Sequence, residues 1–305
     1  MLNQNVLVTG STGLIGRHVV TSLVQAGWSV HGCARSLRDP PKGDVRWHRA
    51  NLLCADDRSR LLDAVRPCTI VHCAWETEHG AYWTSPQNLN WVGSSLALAR
   101  EARERGAVRF VGVGSCAEYT WGGDKPSSAG QAPLESTTLY GIAKDATRRV
   151  LESYAGQSGL SFAWARVFML YGAGEHPHRF VASLARALMR GESARMSSGR
   201  ANRDFLDARD VGAAIAAVVA SPLTGAIDIG SGIPISLRQV GESLARLAGK
   251  RELLAVGALP DRGDAAMTVA ADVTRLSCEV RFSPSIPLEQ GLMDALNYWR
   301  MEASR

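Results

Sequence analysis

Two hydrophobic periods alternate along the first half of the chain. Asn5 to Thr9 is a short apolar run, and the glycine-bearing stretch Gly10 to Gly16 follows it directly. Between residues 14 and 26, Leu14, Ile15, Val19, Leu23 and Val24 recur at helical spacing and predict an amphipathic helix. Strand-like runs recur at 29–34, 45–48, 69–73, 108–113 and 161–167, and helical patterns at 56–65, 88–105 and 139–156. Strands alternating with helices predict right-handed crossovers, and hence an α/β fold built on a doubly wound parallel sheet.

Past residue 167 the rhythm is irregular. Residues 172–178 read as a loop, 179–190 as a helix, 196–206 as loop and strand, and 209–220 as a helix returning to the main sheet. The expected organisation is a larger unit, 1–167 plus about 206–230, and a smaller interleaved α+β unit, 168–205 plus about 231–305. The Gly-, Pro- and Ser-rich stretch 122–133 is expected as a loop on the ligand side, suited to act as a lid.

Composition narrows the classes. The chain has 305 residues, 46% hydrophobic and 21% charged, which excludes disorder, collagen and a disulfide mini-scaffold as descriptions of the whole. Its net charge of +5 is mild and scattered, with no basic stripe to bind nucleic acid. No apolar run approaches the ~18 residues of a membrane span, and residues 1–20 lack a secretory pattern. Cysteines stand at 33, 54, 68, 73, 116 and 278 without a C-x-x-C pair, so no metal site is expected. Reduced thiols in a cytoplasmic protein are the expectation.

The glycine stretch carries the first candidate chemistry. In G-x-x-G-x-x-G after a strand, Gly10 permits the tight turn and Gly13 lets the backbone approach a pyrophosphate. Gly16 lets the helix pack close, and its N-terminus offers free N–H groups to phosphate. The end of the second strand, Cys33-Ala34-Arg35-Ser36, lacks the acidic residue that would hold a ribose 2′-hydroxyl. Arg35 can pair instead with a 2′-phosphate, Ser36 can donate to it, and Arg38 is a second partner. The expected cofactor is NADP, with NAD as the alternative.

Tyr140 and Lys144 lie four residues apart on one helix face. A nearby ammonium favours the phenolate, so a lowered Tyr140 pKa is expected, suited to proton exchange with a carbonyl or carbinol oxygen. Ser115, just after the fifth strand, is placed to hold that oxygen.

Taken together, these residues resemble the extended short-chain dehydrogenase/reductase superfamily, in its nucleotide-sugar branch, over nearly the whole chain. Thr9 to Gly16 is similar to the family's cofactor loop, Cys73-Ala74-Trp75 to a strand end that touches the cofactor, and Ser115 to Tyr119 to the catalytic-serine segment. Tyr140 and Lys144 match the catalytic pair. Arg166 to Gly172 resembles the strand and loop over the nicotinamide, and Asp228 to Gly232 a later turn. The resemblance implies a Rossmann fold and a catalytic set of Ser115, Tyr140 and Lys144. It implies further cofactor contacts from Thr12, Leu14, Ile15, Asn51, Leu52, Cys73, Ala74, Trp75, Val113, Val167 and Phe168. Substrate contacts are implied for Ser115, Glu118, Met169, Arg179, Arg203 and Arg262. Arg203 and Arg262 would clamp a diphosphate, since guanidinium forks pair with phosphate oxygens.

Three departures bear on substrate: Asn51 replaces an Asp, Met169 stands where relatives have Asn, and Thr120 replaces a Gly. By resemblance, a 4,6-dehydratase carries an acidic residue two positions before Tyr119; here that position is Ala117, and Glu118 comes one later. One step along a strand reverses the side chain, which counts against dehydratase chemistry. The missing acid after the second strand counts against a 4-epimerase holding NAD. The expected activity is NADPH-dependent reduction of the C4 ketone of a nucleotide-linked 4-keto-6-deoxy sugar. The alternatives are an NAD-dependent nucleotide-sugar 4-epimerase or dehydratase, and a non-catalytic NADP-binding sensor. The resemblance also implies a homodimer through a helix pair that includes 139–156.

Overall fold

The alternating periods of the first half become a parallel sheet. The computed structural model describes residues 5–37, 43–76, 78–121, 127–128, 130, 132–261 and 267–304. In chain order it begins with β1 (Asn5–Thr9), α1 (Leu14–Gln25), β2 (Ser29–Ala34), β3 (Val45–Arg49), α2 (Ala55–Val65), β4 (Thr69–His72), α3 (Gln87–Glu104) and β5 (Arg109–Ser115). Then come β6 (Ser127–Ser128), α4 (Leu139–Ser158), β7 (Ser161–Val167), β8 (Met169–Tyr171), α5 (Phe180–Arg190), β9 (Ala194–Met196), β10 (Asn202–Asp207) and α6 (Ala208–Ala220). The chain continues through β11 (Gly225–Ile229), β12 (Pro234–Ser236), α7 (Leu237–Leu247), β13 (Leu254–Val256), β14 (Thr268–Ala270), α8 (Thr274–Cys278) and α9 (Leu288–Ala303).

The main sheet has seven strands in the order β11-β7-β5-β4-β1-β2-β3, every neighbour parallel. This is a doubly wound, Rossmann-like α/β fold. Helices cover both faces, so the central strands are apolar on both sides. Along β1, Val6 and Val8 face the α1/α6 layer, while Leu7 faces the α3/α4 layer; all three are fully buried. The strand order reverses at β1, which lies between β4 and β2. A crevice therefore opens beyond the carboxyl ends of these strands, the place where open α/β sheets bind ligands.

A second sheet runs β12-β10-β14-β6, with β8 also paired to β10. Behind it α5, α7 and α9 share a core of Leu184, Leu188, Val240, Leu244, Leu292 and Leu296. Buried carboxylates tie its loops: Asp204 accepts from the Ser231, Gly232 and Ala271 N–H groups at 2.7, 2.9 and 3.0 Å. Asp210 does the same for Ile286 at 2.9 Å and for the Ser285 hydroxyl at 2.8 Å.

One expected element changes character. Asp228 and Ile229, read as part of a turn, close β11, whose pairing with β7 (Asp228↔Arg166) places them in the sheet. Among the described residues, no helix is long and apolar enough to cross a membrane.

Candidate active site

A cleft of about 1280 Å³ lies at the carboxyl ends of the main-sheet strands, between that sheet and the second. Its floor is the turn after β1. Gly10 has φ +64°, and a Cβ there would stand 2.8 Å from the Ala74 backbone nitrogen. A Cβ at Gly16 would stand 2.2 Å from the Gly10 carbonyl oxygen, so the turn and the first coil of α1 close on each other only because both are glycine. Gly13 caps α1 without a side-chain bond, and no acidic residue occupies the first turn. Free N–H groups and the positive end of the helix dipole therefore face the cleft. Thr12, Leu14 and Ile15 line it beside them. A cradle without Cβ atoms at an uncapped helix N-terminus fits the diphosphate of a dinucleotide.

Next to the cradle, Cys33, Ala34, Arg35, Ser36 and Leu52 line the wall built by β2 and the segment after β3. Arg35 and Ser36 are exposed. Asn51, expected at the adenine, is not among the lining residues. Its carboxamide oxygen accepts from the Leu53 N–H at 3.2 Å and its own N–H donates to Asp57 at 2.9 Å, two bonds that set the turn into α2. Arg38 and Arg262 lie outside the described residues.

The reactive cluster is assembled from β5, the turn after it, and the start of α4. Ser115 ends β5 and caps a 3-10 turn, Cys116–Glu118. Its hydroxyl accepts from the Ala117 N–H at 3.1 Å, and it faces the same cleft as the Tyr140 phenol, whose pKa it pulls down. Tyr140 is the second residue of α4, which Thr138 caps. Its backbone N–H donates to the Trp83 carbonyl at 3.1 Å, and the rings of Tyr82 and Trp83 stand edge-on to it, 4.9 and 5.7 Å away. Burial pushes the phenol above its ordinary range, against the pull of the Ser115 hydroxyl.

The expected lowering by Lys144 therefore does not hold. The ammonium donates to the Val113 carbonyl at 2.8 Å and lies 3.9 Å from the centre of the Trp75 ring, against 5.9 Å from that of Tyr140. Burial lowers Lys144 to about 7, with Glu118 pulling it back up. Neither Lys144 nor Val113 lines the cleft. Val113 is covered, and its carbonyl anchors the lysine.

Glu118, expected at the substrate, is sealed inside the protein with no exposed surface. One carboxylate oxygen accepts from the Ser115 N–H and the Trp164 indole, both at 2.9 Å, and the other from Arg166 Nε at 2.7 Å. Arg166 also donates to the Tyr119 hydroxyl at 3.0 Å, and Tyr119 donates to Asp228 at 3.0 Å. Burial pushes the Glu118 carboxyl up; the Arg166 guanidinium and the other donors oppose that shift. Burial likewise raises Asp228 to about 6.

The remaining expected residues, Cys73, Ala74, Trp75, Val167, Phe168, Met169, Arg179 and Arg203, all line the cleft. Arg179 pairs with Glu175 at 3.0 Å, and burial lowers Arg203 from its ordinary range. Several lining residues had no signal in the sequence. Tyr298, Trp299 and Glu302 come from the C-terminal end of α9, and His79 from the segment between β4 and α3.

Comparison with known proteins places this geometry. The model of the NAD dependent epimerase/dehydratase family matches residues 6–230. Methionine adenosyltransferase 2 subunit beta of Rattus norvegicus is 32% identical over 174 residues, 56% of this chain and 48% of that protein. The chain thus spans about half the length of these curated relatives. The dTDP-6-deoxy-L-talose 4-dehydrogenase (NAD(+)) of Aggregatibacter actinomycetemcomitans is 27% identical over 252 residues, covering 78% of this chain and 88% of that protein. Among solved structures, the Thermotoga maritima UDP-glucose 4-epimerase with UDP-glucose superposes with a TM-score of 0.87 at 22% identity, covering 98% and 99% of the two chains, a likeness of fold. MoeE5 in complex with UDP-glucuronic acid and NAD gives 0.82 at 28% identity, with the same coverage.

Proposed function

This chain belongs to the NAD-dependent epimerase/dehydratase family, and on that premise we propose that it reduces a C4 ketone on a nucleotide-linked 6-deoxyhexose. The observation that carries the reading is the Ser115–Tyr140 pair, with the phenol kept protonated by burial and no carboxylate of the serine segment facing the cleft. A neutral phenol in the wall of the cleft is a proton donor, as ketone reduction requires. A 4,6-elimination needs an acid or base beside the serine, and Glu118 is committed to Arg166 instead. The similarity to a 4-dehydrogenase of a dTDP-6-deoxy sugar, which covers most of both chains, supports chemistry at C4.

The residues then divide the work. Gly10, Gly13 and the α1 N-terminus hold the dinucleotide diphosphate, and Arg35 with Ser36 takes a 2′-phosphate, so NADPH is the proposed cofactor. When bound, the cofactor supplies the two-electron reducing equivalent. Ser115 hydrogen-bonds the ketone oxygen and Tyr140 gives it the phenolic proton, leaving an alcohol. Trp75 covers the Lys144 ammonium and keeps water from it. Arg203 faces the substrate diphosphate. Half-exposed Ile142 and Val150 on the outer side of α4 suit pairing with a second copy.

The test begins with cofactor-stripped protein titrated with NADPH and NADH, followed by NADPH oxidation on a panel of nucleotide-linked 4-keto-6-deoxy sugars. Exchangeable NADPH and substrate-dependent oxidation are the expected results. Tightly retained NAD with interconversion of C4 epimers would replace this reading with an epimerase. Tight dinucleotide binding with no consumption of any sugar would replace it with a sensor.

A further inference from the structure

A second phenol stands beside the reactive one. Tyr82 lies in the segment between β4 and α3 and lines the same cleft as Ser115 and Tyr140. Its ring is edge-on to that of Tyr140, with centroids 4.9 Å apart and planes at 75°. The proton transfer to C4 leaves it without a task. Among the described residues no protein group is bonded to its hydroxyl; the hydrogen bonds that Tyr82 makes run through its backbone.

That backbone is held on both sides. The Tyr82 carbonyl accepts from Nδ2 of Asn88 at 2.7 Å, and Asn88, fully buried, accepts on Oδ1 from the Trp75 indole at 2.8 Å. The Tyr82 N–H donates to the Glu78 carbonyl at 3.1 Å, and the next carbonyl, that of Trp83, accepts from the Tyr140 N–H at 3.1 Å. Backbone bonds therefore fix the two phenols relative to each other, as a binding constellation requires. Arg179, the cation that acts on Tyr82, is already engaged: its Nε pairs with Glu175 at 3.0 Å and its Nη2 donates to the Leu170 carbonyl at 3.2 Å. Burial keeps the Tyr82 phenol neutral, so it retains an O–H to donate and lone pairs to accept.

We propose that the Tyr82 hydroxyl binds the C3 hydroxyl of the sugar and selects for it, an inference that deepens the functional reading above and rests on it. The position follows from the chemistry of the sugar. Ser115 and Tyr140 take the oxygen at C4. In a 4-keto-6-deoxyhexose one neighbour of C4 is C3, which bears a hydroxyl, and the other is C5, which bears the methyl group. A polar group beside Tyr140 thus meets a hydroxyl on the C3 side and a hydrocarbon on the C5 side. A sugar without the C3 hydroxyl covers the Tyr82 phenol and leaves it unpaired, whereas one that carries it replaces water with a bond to the protein. Tyr82 is a specificity-determining residue, and the proton that reaches C4 oxygen comes from Tyr140.

The experiment compares wild type with Tyr82→Phe, which keeps the ring against Trp83 and Tyr140 and removes the hydroxyl alone. The probes are 4-keto-6-deoxyglucose and its 3-deoxy counterpart, each linked to dTDP, UDP or GDP, with NADPH oxidation as the readout. On the 3-hydroxylated sugar the variant should lose about three- to tenfold in kcat/KM. On the 3-deoxy sugar the two proteins should be equal, and their NADPH affinities should match. A purely structural role for Tyr82 lowers both sugars alike, and that result overturns the inference. Equal kcat/KM of the two proteins on the 3-hydroxylated sugar overturns it too, and both results leave the functional reading in place. Wild type that binds NADPH and consumes neither sugar overturns the functional reading, and the C3 assignment falls with it.

Discussion

Glu118 and Arg166 form a buried ion pair, 2.7 Å from carboxylate to Nε, directly behind the serine that faces the cleft. The same carboxylate holds the Ser115 N–H, so the pair fixes the backbone that carries the reactive hydroxyl. Removing one partner of a buried pair strands the other charge, at a cost of about 3–5 kcal/mol. Glu118→Gln should therefore lower unfolding free energy by about 3 kcal/mol in urea titrations. The double variant Glu118→Gln/Arg166→Met should recover much of that loss. A single variant as stable as wild type would mean that the pair contributes nothing.

Tyr140→Phe keeps the ring that packs against Tyr82 and Trp83 and removes the proton donor. Turnover should fall by about 10²–10⁴, the usual contribution of a positioned acid. Dinucleotide affinity and thermal midpoint should stay near wild type. A loss in affinity equal to the loss in turnover would assign Tyr140 to binding instead of proton transfer.

Gly16 and Gly156 offer opposite outcomes for one substitution. A Cβ at Gly16 meets the Gly10 carbonyl at 2.2 Å, whereas a Cβ at Gly156, in the exposed last turns of α4, meets nothing within 4 Å. Gly16→Ala should cost about 1–3 kcal/mol and abolish dinucleotide binding. Gly156→Ala should stabilise by about 0.4–1 kcal/mol. Thermal unfolding together with a cofactor titration reads both.

What could be read from the sequence was what is encoded locally. The glycine turn, the strand–helix order and the four-residue spacing of Tyr140 and Lys144 each lie within one short stretch. The direction of Glu118 did not follow from strand alternation, because the chain leaves the strand at Ser115 and turns into a 3-10 coil. The S-x-x-E pattern of residues 115–118 was the available signal: it is a capping box, and it predicts the carboxylate turned back onto the Ser115 N–H. The partner of Lys144 was not legible, since Trp75 reaches it from the end of another strand. His79 and Trp299 enter the cleft through the packing of distant segments, which no spacing in the chain records.

Arg35 stands exposed at the end of β2, where no carboxylate is present among residues 29–37. A charge-assisted bond to a 2′-phosphate is worth about 1.5–3 kcal/mol. Arg35→Glu should weaken NADPH about ten- to hundredfold and leave NADH unchanged or improved, as read by nicotinamide fluorescence. Equal effects on both cofactors would remove Arg35 from the 2′ position.

Lys144 links the site to pH. Burial brings its folded pKa down to about 7 from 10.5, so above neutrality the unfolded chain binds a proton that the folded protein does not. Stability from this group therefore rises as pH climbs from about 7 toward 10, and the burial penalty is fully present below 7. Lys144→Met removes the ionisable group while keeping an apolar stem against Trp75. The thermal midpoint of Lys144→Met minus that of wild type should be highest near pH 6 and should decrease steadily toward pH 9. A difference independent of pH over that range would mean that Lys144 stays fully charged in the folded protein, held by Val113 and the Trp75 ring.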